Sequence, residues 1–344
     1  MDSSQTKATG TLPGDWFEPF KPRRVLANAH AQTLAGNYLP RPRLELPVER
    51  EVVEVDPTDG SRVRCDSSWQ PETVRGERLT VVLVHGLEGS SESGYVRGIA
   101  GRAWAKGWNV VRMNMRNCGG TESLTPTLYN SAQSGDVGAV IDHCRLRGAQ
   151  QVALVGYSMG GNLVLKLAGE WGARDPLLAT AGVCPAIDLA AGSDALHEPV
   201  NRAYEWHFLR GLMARLHRKA ALLPSIYDAN VGPVRSLREF DDKVVARYCG
   251  YRDANDYYYR AAGARVVEGI ARPTLIVRSL DDPFIRLTAE TRDKLKANSN
   301  ITLVETQHGG HCAFLSEERG ESIHWAEALV IRWLAWVSGG RDGS

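Results

Sequence analysis

The sequence predicts an α/β fold, with a mostly parallel central sheet, helices on both faces and an inserted helical segment. Three observations carry this. Short apolar runs alternate with helix-compatible stretches from Leu79 to Val183, the rhythm of strands joined by crossover helices. Residues 79–84 form a continuous apolar run, suited to a strand buried on both faces of a parallel sheet. The alternation stops after Val183 and resumes at Thr274, so something mostly helical interrupts the sheet.

The elements follow in order. Residues 1–15 are polar and read as a flexible tail. The main domain is drawn at 16–337. Residues 16–39, with Pro19 and Pro22, read as an irregular arm holding a short helix. Strands are expected at 51–55 and 62–69, with Pro57-Thr58-Asp59-Gly60 as the turn between them. After the strand at 79–84 come helix 95–106, strand 108–113, helix 137–147, strand 152–155, helix 162–171 and strand 178–183. The helical insertion is drawn at 188–260 and read as a lid over the C-terminal strand ends. Within it, residues 201–223 carry Tyr204, Phe208, Leu212 and Leu216 at four-residue steps on one face. Arg210, Arg215, Arg218 and Lys219 lie on its other faces. Strands at 274–278 and 301–305, a helix at 321–337 and a tail at 338–344 complete the chain.

Composition narrows the class. The 344 residues carry a net charge of +1, which speaks against a nucleic-acid binder. No apolar run approaches the roughly 20 residues of a membrane span, and residues 1–15 hold no apolar signal core. The six cysteines are scattered, with no Cys-Xaa-Xaa-Cys pair. That pattern supports neither a disulfide framework nor a zinc knuckle and points to a reducing cytoplasm. No phosphate-cradling loop and no dinucleotide fingerprint is present, so no cofactor is expected.

The most informative motif is Gly156-Tyr157-Ser158-Met159-Gly160, lying between the apolar run 151–155 and the helical stretch 162–171. Strand, Gly-Xaa-Ser-Xaa-Gly, helix is the sequence form of a nucleophile elbow. Gly156 and Gly160 remove the Cβ atoms that would collide as strand and helix close on the turn. A serine nucleophile needs a base, and the base needs an orienting acid. Candidates appear after Ser158 in the order acid, then histidine. The acid falls on Asp281 or Asp282, after the strand at 274–278. Asp282 is favoured because Pro283 makes the loop turn back there. The base falls on His311 in His308-Gly309-Gly310-His311-Cys312, with His308 as rival. His308, His311 and Cys312 lack the further ligand that would complete a metal site.

A tetrahedral intermediate also needs oxyanion donors. Met159 N–H is one candidate. Leu87 N–H, in His85-Gly86-Leu87-Glu88-Gly89, is the other. His85 reads as a loop-holding residue. The stretch Arg116-Asn117-Cys118-Gly119-Gly120-Thr121 and the triplet Tyr129-Asn130-Ser131 read equally as pocket lining or loop packing. The polar knot His30-Ala31-Gln32-Thr33 reads as structural.

Taken together, these blocks resemble the YheT-like branch of the α/β-hydrolase superfamily, related to animal α/β-hydrolase-domain lipases and esterases. The resemblance runs from about Trp16 to about Val337. It rests on the knot at 30–33, the blocks at 85–89, 116–120 and 156–162, Asp281-Asp282-Pro283-Phe284, and His308-Gly309-Gly310-His311. It implies an α/β-hydrolase fold and hydrolysis of carboxylic (acyl) esters, with Ser158 as nucleophile, His311 as base and the acid within Asp281-Asp282. Cys312-Ala313 stands where Val-Gly is usual, which puts the pocket shape in doubt. The resemblance further implies a soluble, bacterial-type member without the membrane anchor of the animal relatives. The partner expected is a small acyl ester or lipid. The basic stretch 201–223 keeps open a lipase or phospholipase working at a membrane surface. A ligand-binding protein that keeps the fold without catalysis is the third reading.

Overall fold

The computed structural model describes residues 17–39, 41, 44–317 and 323–339. The tail expected at 1–15, and residues 340–344 of the C-terminal tail, lie outside the described residues.

Eight strands form one sheet: β1 (Glu49–Asp56), β2 (Ser61–Ser68), β3 (Thr80–Val84), β4 (Asn109–Met113), β5 (Val152–Tyr157), β6 (Leu177–Val183), β7 (Thr274–Ser279) and β8 (Ile301–Thr306). Their order is β1-β2-β4-β3-β5-β6-β7-β8. The pairs β1–β2 and β2–β4 are antiparallel, and every pair from β4 to β8 is parallel. The antiparallel start follows from the short link between β1 and β2, where Asp56 and Asp59 accept from the Thr58 and Ser61 N–H groups at 3.0 and 2.8 Å. A link that short cannot carry a crossover.

The central strands are buried on both faces. Along β3, Val81 and Leu83 join one hydrophobic cluster while Val82 and Val84 join the other, the period-two alternation of a strand. Helices α2 (Gly94–Ala105) and α9 (Trp325–Val337) cover the first face. Helices α3 (Ser134–Leu146) and α4 (Met159–Trp171) cover the second. The arm contributes α1 (Ala29–Tyr38), capped by Asn28, whose side chain accepts from His30 and Ala31 N–H. Among the described residues no helix is long and apolar enough to cross a membrane.

Between β6 and β7 the chain is helical, with α5 (Leu189–Leu196), α6 (Arg202–Leu222), a π-helical turn at Asp241–Ala246 and α7 (Ala254–Ala261). The face expected on α6 is there, but its charges are not all turned to solvent. Arg215 and Lys219 are buried. Lys219 Nζ donates to the carbonyls of Glu122 and Thr125. The four-residue spacing identifies the apolar stripe but cannot show that carbonyls of a distant loop wait for two of the cations. One helix was not expected: α8 (Ala289–Ala297), between β7 and β8. It is rich in charge, and Leu295 is its one apolar side chain in the core, so it leaves almost no periodic signal.

Candidate active site

Ser158 lies between β5 and α4 with φ 53° and ψ −117°. A non-glycine residue held there is strained, and such strain persists only where the surroundings enforce it. They do so here. Ser158 N–H donates to Val183 O at 3.0 Å, and Ser158 O accepts from Asn162 and Ala186 N–H at 3.1 Å each. A Cβ on Gly156 would strike the Gly160 carbonyl, and one on Gly160 would strike the carbonyls of Val84 and His85. Both glycines are therefore required by close backbone approach.

The acid and the histidine arrive on the loops after β7 and β8. Asp282 Oδ2 lies 2.8 Å from His311 Nδ1. Asp282 Oδ1 accepts from Phe284 and Ile285 N–H at 3.1 and 2.9 Å, so the carboxylate is buried yet fully partnered. Asp281 does something else. It accepts from Gly310 N–H at 2.9 Å and pairs with His308 at 3.3 Å, holding the histidine loop in shape. His308 is half exposed and turned to Asp281. Burial alone would lower the pKa of His311, but the charge and hydrogen bond of Asp282 outweigh it and raise the imidazole above its ordinary 6.5. With Nδ1–H given to Asp282, Nε2 is the nitrogen turned toward Cys312 Sγ.

Ser158 and His311 face the same open cavity. Among the described residues the Ser158 hydroxyl makes no hydrogen bond. The neighbour of His311 Nε2 is Cys312 Sγ at 3.6 Å. The groups that could hold a metal differ from the sequence trio. Cys184 replaces His308, and the donor atoms of Cys184, His311 and Cys312 lie within 4.8 Å of one another. Cys184 Sγ is the acceptor of Cys312 N–H at 3.3 Å.

The loop carrying Leu87 is pinned at several points. His85 Nε2 accepts from Met115 N–H at 3.1 Å, which makes its Nδ1–H the donor to Gly86 O at 2.8 Å. Burial pushes the His85 pKa down to about 4, so the ring is a neutral strut. Gly86 N–H donates to Tyr95 Oη at 2.9 Å. Glu88, with φ 57°, accepts from Tyr129 Oη at 2.5 Å and from Arg215 Nε at 3.1 Å. Arg215 also donates to Asn117 O. The N–H groups of Leu87 and Met159 make no hydrogen bond among the described residues. Both N–H groups are thus left without an acceptor among the described residues.

Sequence reasoning gave Arg215, Glu88 and Tyr95 no place at the site, though each holds a site loop; Thr33, in the knot read as structural, does hold the histidine loop. Of the two undecided stretches, Tyr129, Asn130 and Ser131 line a cavity at Ser158. Arg116 instead forms a buried bidentate pair with Asp136 at 2.7 and 2.6 Å.

Two cavities meet at Ser158. One is largely apolar and is walled by Leu87, Leu189, Leu212, Phe240, Phe284 and Ile285. His311 does not line it. The other is wider and is lined by His311, Cys312, His30, Tyr204 and Trp206.

An elbow serine over a mostly parallel sheet, followed in chain order by a buried aspartate bonded to a histidine, defines an α/β hydrolase. The comparisons agree. A sequence model of the "Alpha/beta hydrolase family" matches residues 81–321. The chain is 32% identical over 332 residues to the Escherichia coli (strain K12) protein named "Putative esterase YheT", covering 92% of each chain. It is 30% identical over 260 residues to the human "Phospholipase ABHD3", covering 75% of this chain and 62% of that one. Among solved structures, an esterase of Pyrococcus furiosus, Pf2001, superposes with a TM-score of 0.56 at 13% identity, over 94% of this chain and 99% of that one. That likeness speaks for the fold alone. The chain belongs to the α/β-hydrolase superfamily, in its YheT-like branch, and is a hydrolase of that family.

Proposed function

We propose that the protein is a serine esterase that cleaves acyl esters through Ser158, His311 and Asp282. The observation that carries this is the 2.8 Å contact between the buried Asp282 and His311 Nδ1, which frees Nε2 toward the cavity shared with the strained Ser158. His311 Nε2 takes the Ser158 proton as Oγ attacks the ester carbonyl. The N–H groups of Leu87 and Met159 hold the oxyanion. His311 then protonates the leaving alcohol, and water repeats the sequence on the acyl-enzyme. Asp282 fixes the ring tautomer. The leaving alcohol must lie within reach of His311 Nε2, so it occupies the open cavity. The acyl chain takes the apolar cavity, which Ser158 lines and His311 does not. No step calls for a cofactor.

A second reading concerns where the ester comes from. Leu34, Tyr38, Val200 and Trp206 are exposed apolar side chains on the rim of the open cavity, and such a rim suits contact with lipid. Relatives named as a phospholipase and a monoacylglycerol lipase accord with a lipid ester. The testing experiment is hydrolysis of p-nitrophenyl esters of graded acyl length, with Ser158→Ala as control and a fluorophosphonate label on Ser158. Ser158-dependent turnover is expected. A folded protein that is neither labelled nor active would favour a ligand-binding role.

A further inference from the structure

The apolar cavity has one feature that an alkyl chain does not need. Asp241, at the start of the π-helical turn, is 93% buried by its 7% exposure and lines that cavity among apolar walls. Placing a carboxyl there costs free energy unless partners compensate. Compensation is partial. Asp241 Oδ2 accepts from Tyr258 Oη at 2.7 Å, and Tyr258 Oη lies 2.9 Å from Ser193 Oγ. Asp241 Oδ1 accepts no hydrogen bond from the described residues. Burial pushes the carboxyl up to about 7, as expected of an acid short of partners. π-turns inside helices frequently mark functional sites.

A second polar group faces the same space. Tyr257 Oη accepts from Ser131 N–H at 2.8 Å and also has the Ser131 hydroxyl as a hydrogen-bond partner. Tyr257 and Tyr258 pack with ring centroids 5.4 Å apart. The apolar pocket therefore offers one open acceptor, Asp241 Oδ1, on a wall it shares with the Tyr257 hydroxyl. A hydroxyl suits this wall, since it donates to the carboxyl oxygen and can accept from a tyrosine. An ammonium group suits it less, because the Arg238 guanidinium already acts on Asp241 and stacks 5.0 Å over the Tyr258 ring.

We infer that Asp241, with Tyr258 and Tyr257, forms a subsite for a hydroxyl carried on the acyl chain, so that the preferred substrates are esters of hydroxylated fatty acids. The inference rests on the esterase reading and on the acyl chain lying in the apolar cavity. A pocket built to bond a hydroxyl rejects the analogue lacking it, because its polar groups are then buried unpaired.

The test compares p-nitrophenyl esters of hydroxylated and parent acids, about six to twelve carbons long, with the hydroxyl moved along the chain. For at least one isomer the wild-type kcat/KM ratio of hydroxylated to parent ester is expected to exceed about tenfold. Asp241→Leu should bring that ratio to near one. Asp241→Asn, which keeps the shape, should lower it and serves if the leucine variant fails to fold. A wild-type ratio of one or less for every isomer overturns the subsite. So does a ratio that neither substitution moves. In both cases Ser158-dependent cleavage of the parent esters leaves the esterase reading standing. Absence of cleavage together with absence of Ser158 labelling brings down both.

Discussion

Thr33 Oγ1 accepts a 2.9 Å hydrogen bond from the backbone N–H of His311, across 278 residues of sequence. The same hydroxyl donates to Ala29 O at 2.8 Å. One residue earlier, Gln32 brackets Leu315, donating to its carbonyl at 3.0 Å and accepting from its N–H at 2.9 Å. Helix α1 thus clamps the loop that presents the histidine. Thr33→Val removes the acceptor at nearly constant volume and leaves a partly buried N–H unpaired, which costs about 1–3 kcal/mol. A fall in kcat/KM of about tenfold is expected, with native circular dichroism, and Thr33→Ser should retain most of the activity. Wild-type kinetics in the valine variant would remove α1 from the positioning of His311.

The division of labour between the two aspartates makes a sharper prediction. Asp282→Asn deprives the imidazole of its orienting acceptor and should lower kcat on the order of 10⁴-fold. Asp281→Asn disturbs only the bonds to Gly310 N–H and His308, and a loss on the order of tenfold is expected. The pH profile separates the roles further. His311 must be neutral to accept the Ser158 proton, and Asp282 raises its pKa, so kcat/KM should climb with pH on a limb above the ordinary imidazole value. Asp282→Asn should move that limb to lower pH, whereas Asp281→Asn should leave it in place. Interchanged effects would reassign the acid.

Arg215 and Glu88 form a largely buried pair that ties α6 to the loop carrying Leu87. Removing one partner of such a pair leaves a buried charge uncompensated, at about 3–5 kcal/mol. Arg215→Met should therefore lower urea stability by that order and depress kcat as the Leu87 N–H loses its support. Arg218, half exposed and bound to Glu122 at 2.8 Å, supplies the control. Arg218→Met is expected to change stability by less than about 1 kcal/mol. Equal effects from both would mean that the pair adds nothing to the loop.

The contrast between Arg215 and Arg218 also shows what the sequence could reveal. All eight strands were legible to within two residues, because each is a short apolar or alternating run whose pattern depends only on local burial. The elbow was legible because its glycines answer a steric demand inside five residues. The choice of Asp282 followed from Pro283, and the structure bonds that aspartate to His311. What stayed hidden were contacts between distant segments. Arg215, Arg218 and Lys219 look alike in the helical pattern, yet their burial depends on Glu88, Glu122 and the Thr125 carbonyl, far away in sequence. Thr33 gave no sign that it would reach His311. Asp241 was invisible for the same reason, since nothing local distinguishes an acid lining a cavity from the exposed acids around it.

Cys312 provides the last prediction. Its Sγ stands 3.6 Å from His311 Nε2 and faces the open cavity. Cys65, Cys118, Cys144 and Cys184 are buried, and Cys249 is partly so. An alkylating reagent such as N-ethylmaleimide should reach Cys312 through the cavity and place bulk where His311 must meet Ser158. Alkylation needs the thiolate, and burial pushes the Cys312 pKa well up, so the inactivation should be slow at neutral pH and quicken as pH rises. An ester-bound state should protect. Cys312→Ser fills nearly the same volume with a far weaker nucleophile and no branch at a residue held at φ 62°, and its activity should resist the reagent. Loss of activity in Cys312→Ser at the wild-type rate would trace the inactivation to another thiol. Retention of full activity by the wild type after stoichiometric labelling of Cys312, shown by mass spectrometry, would mean that the serine approaches His311 from a side the thiol does not occupy.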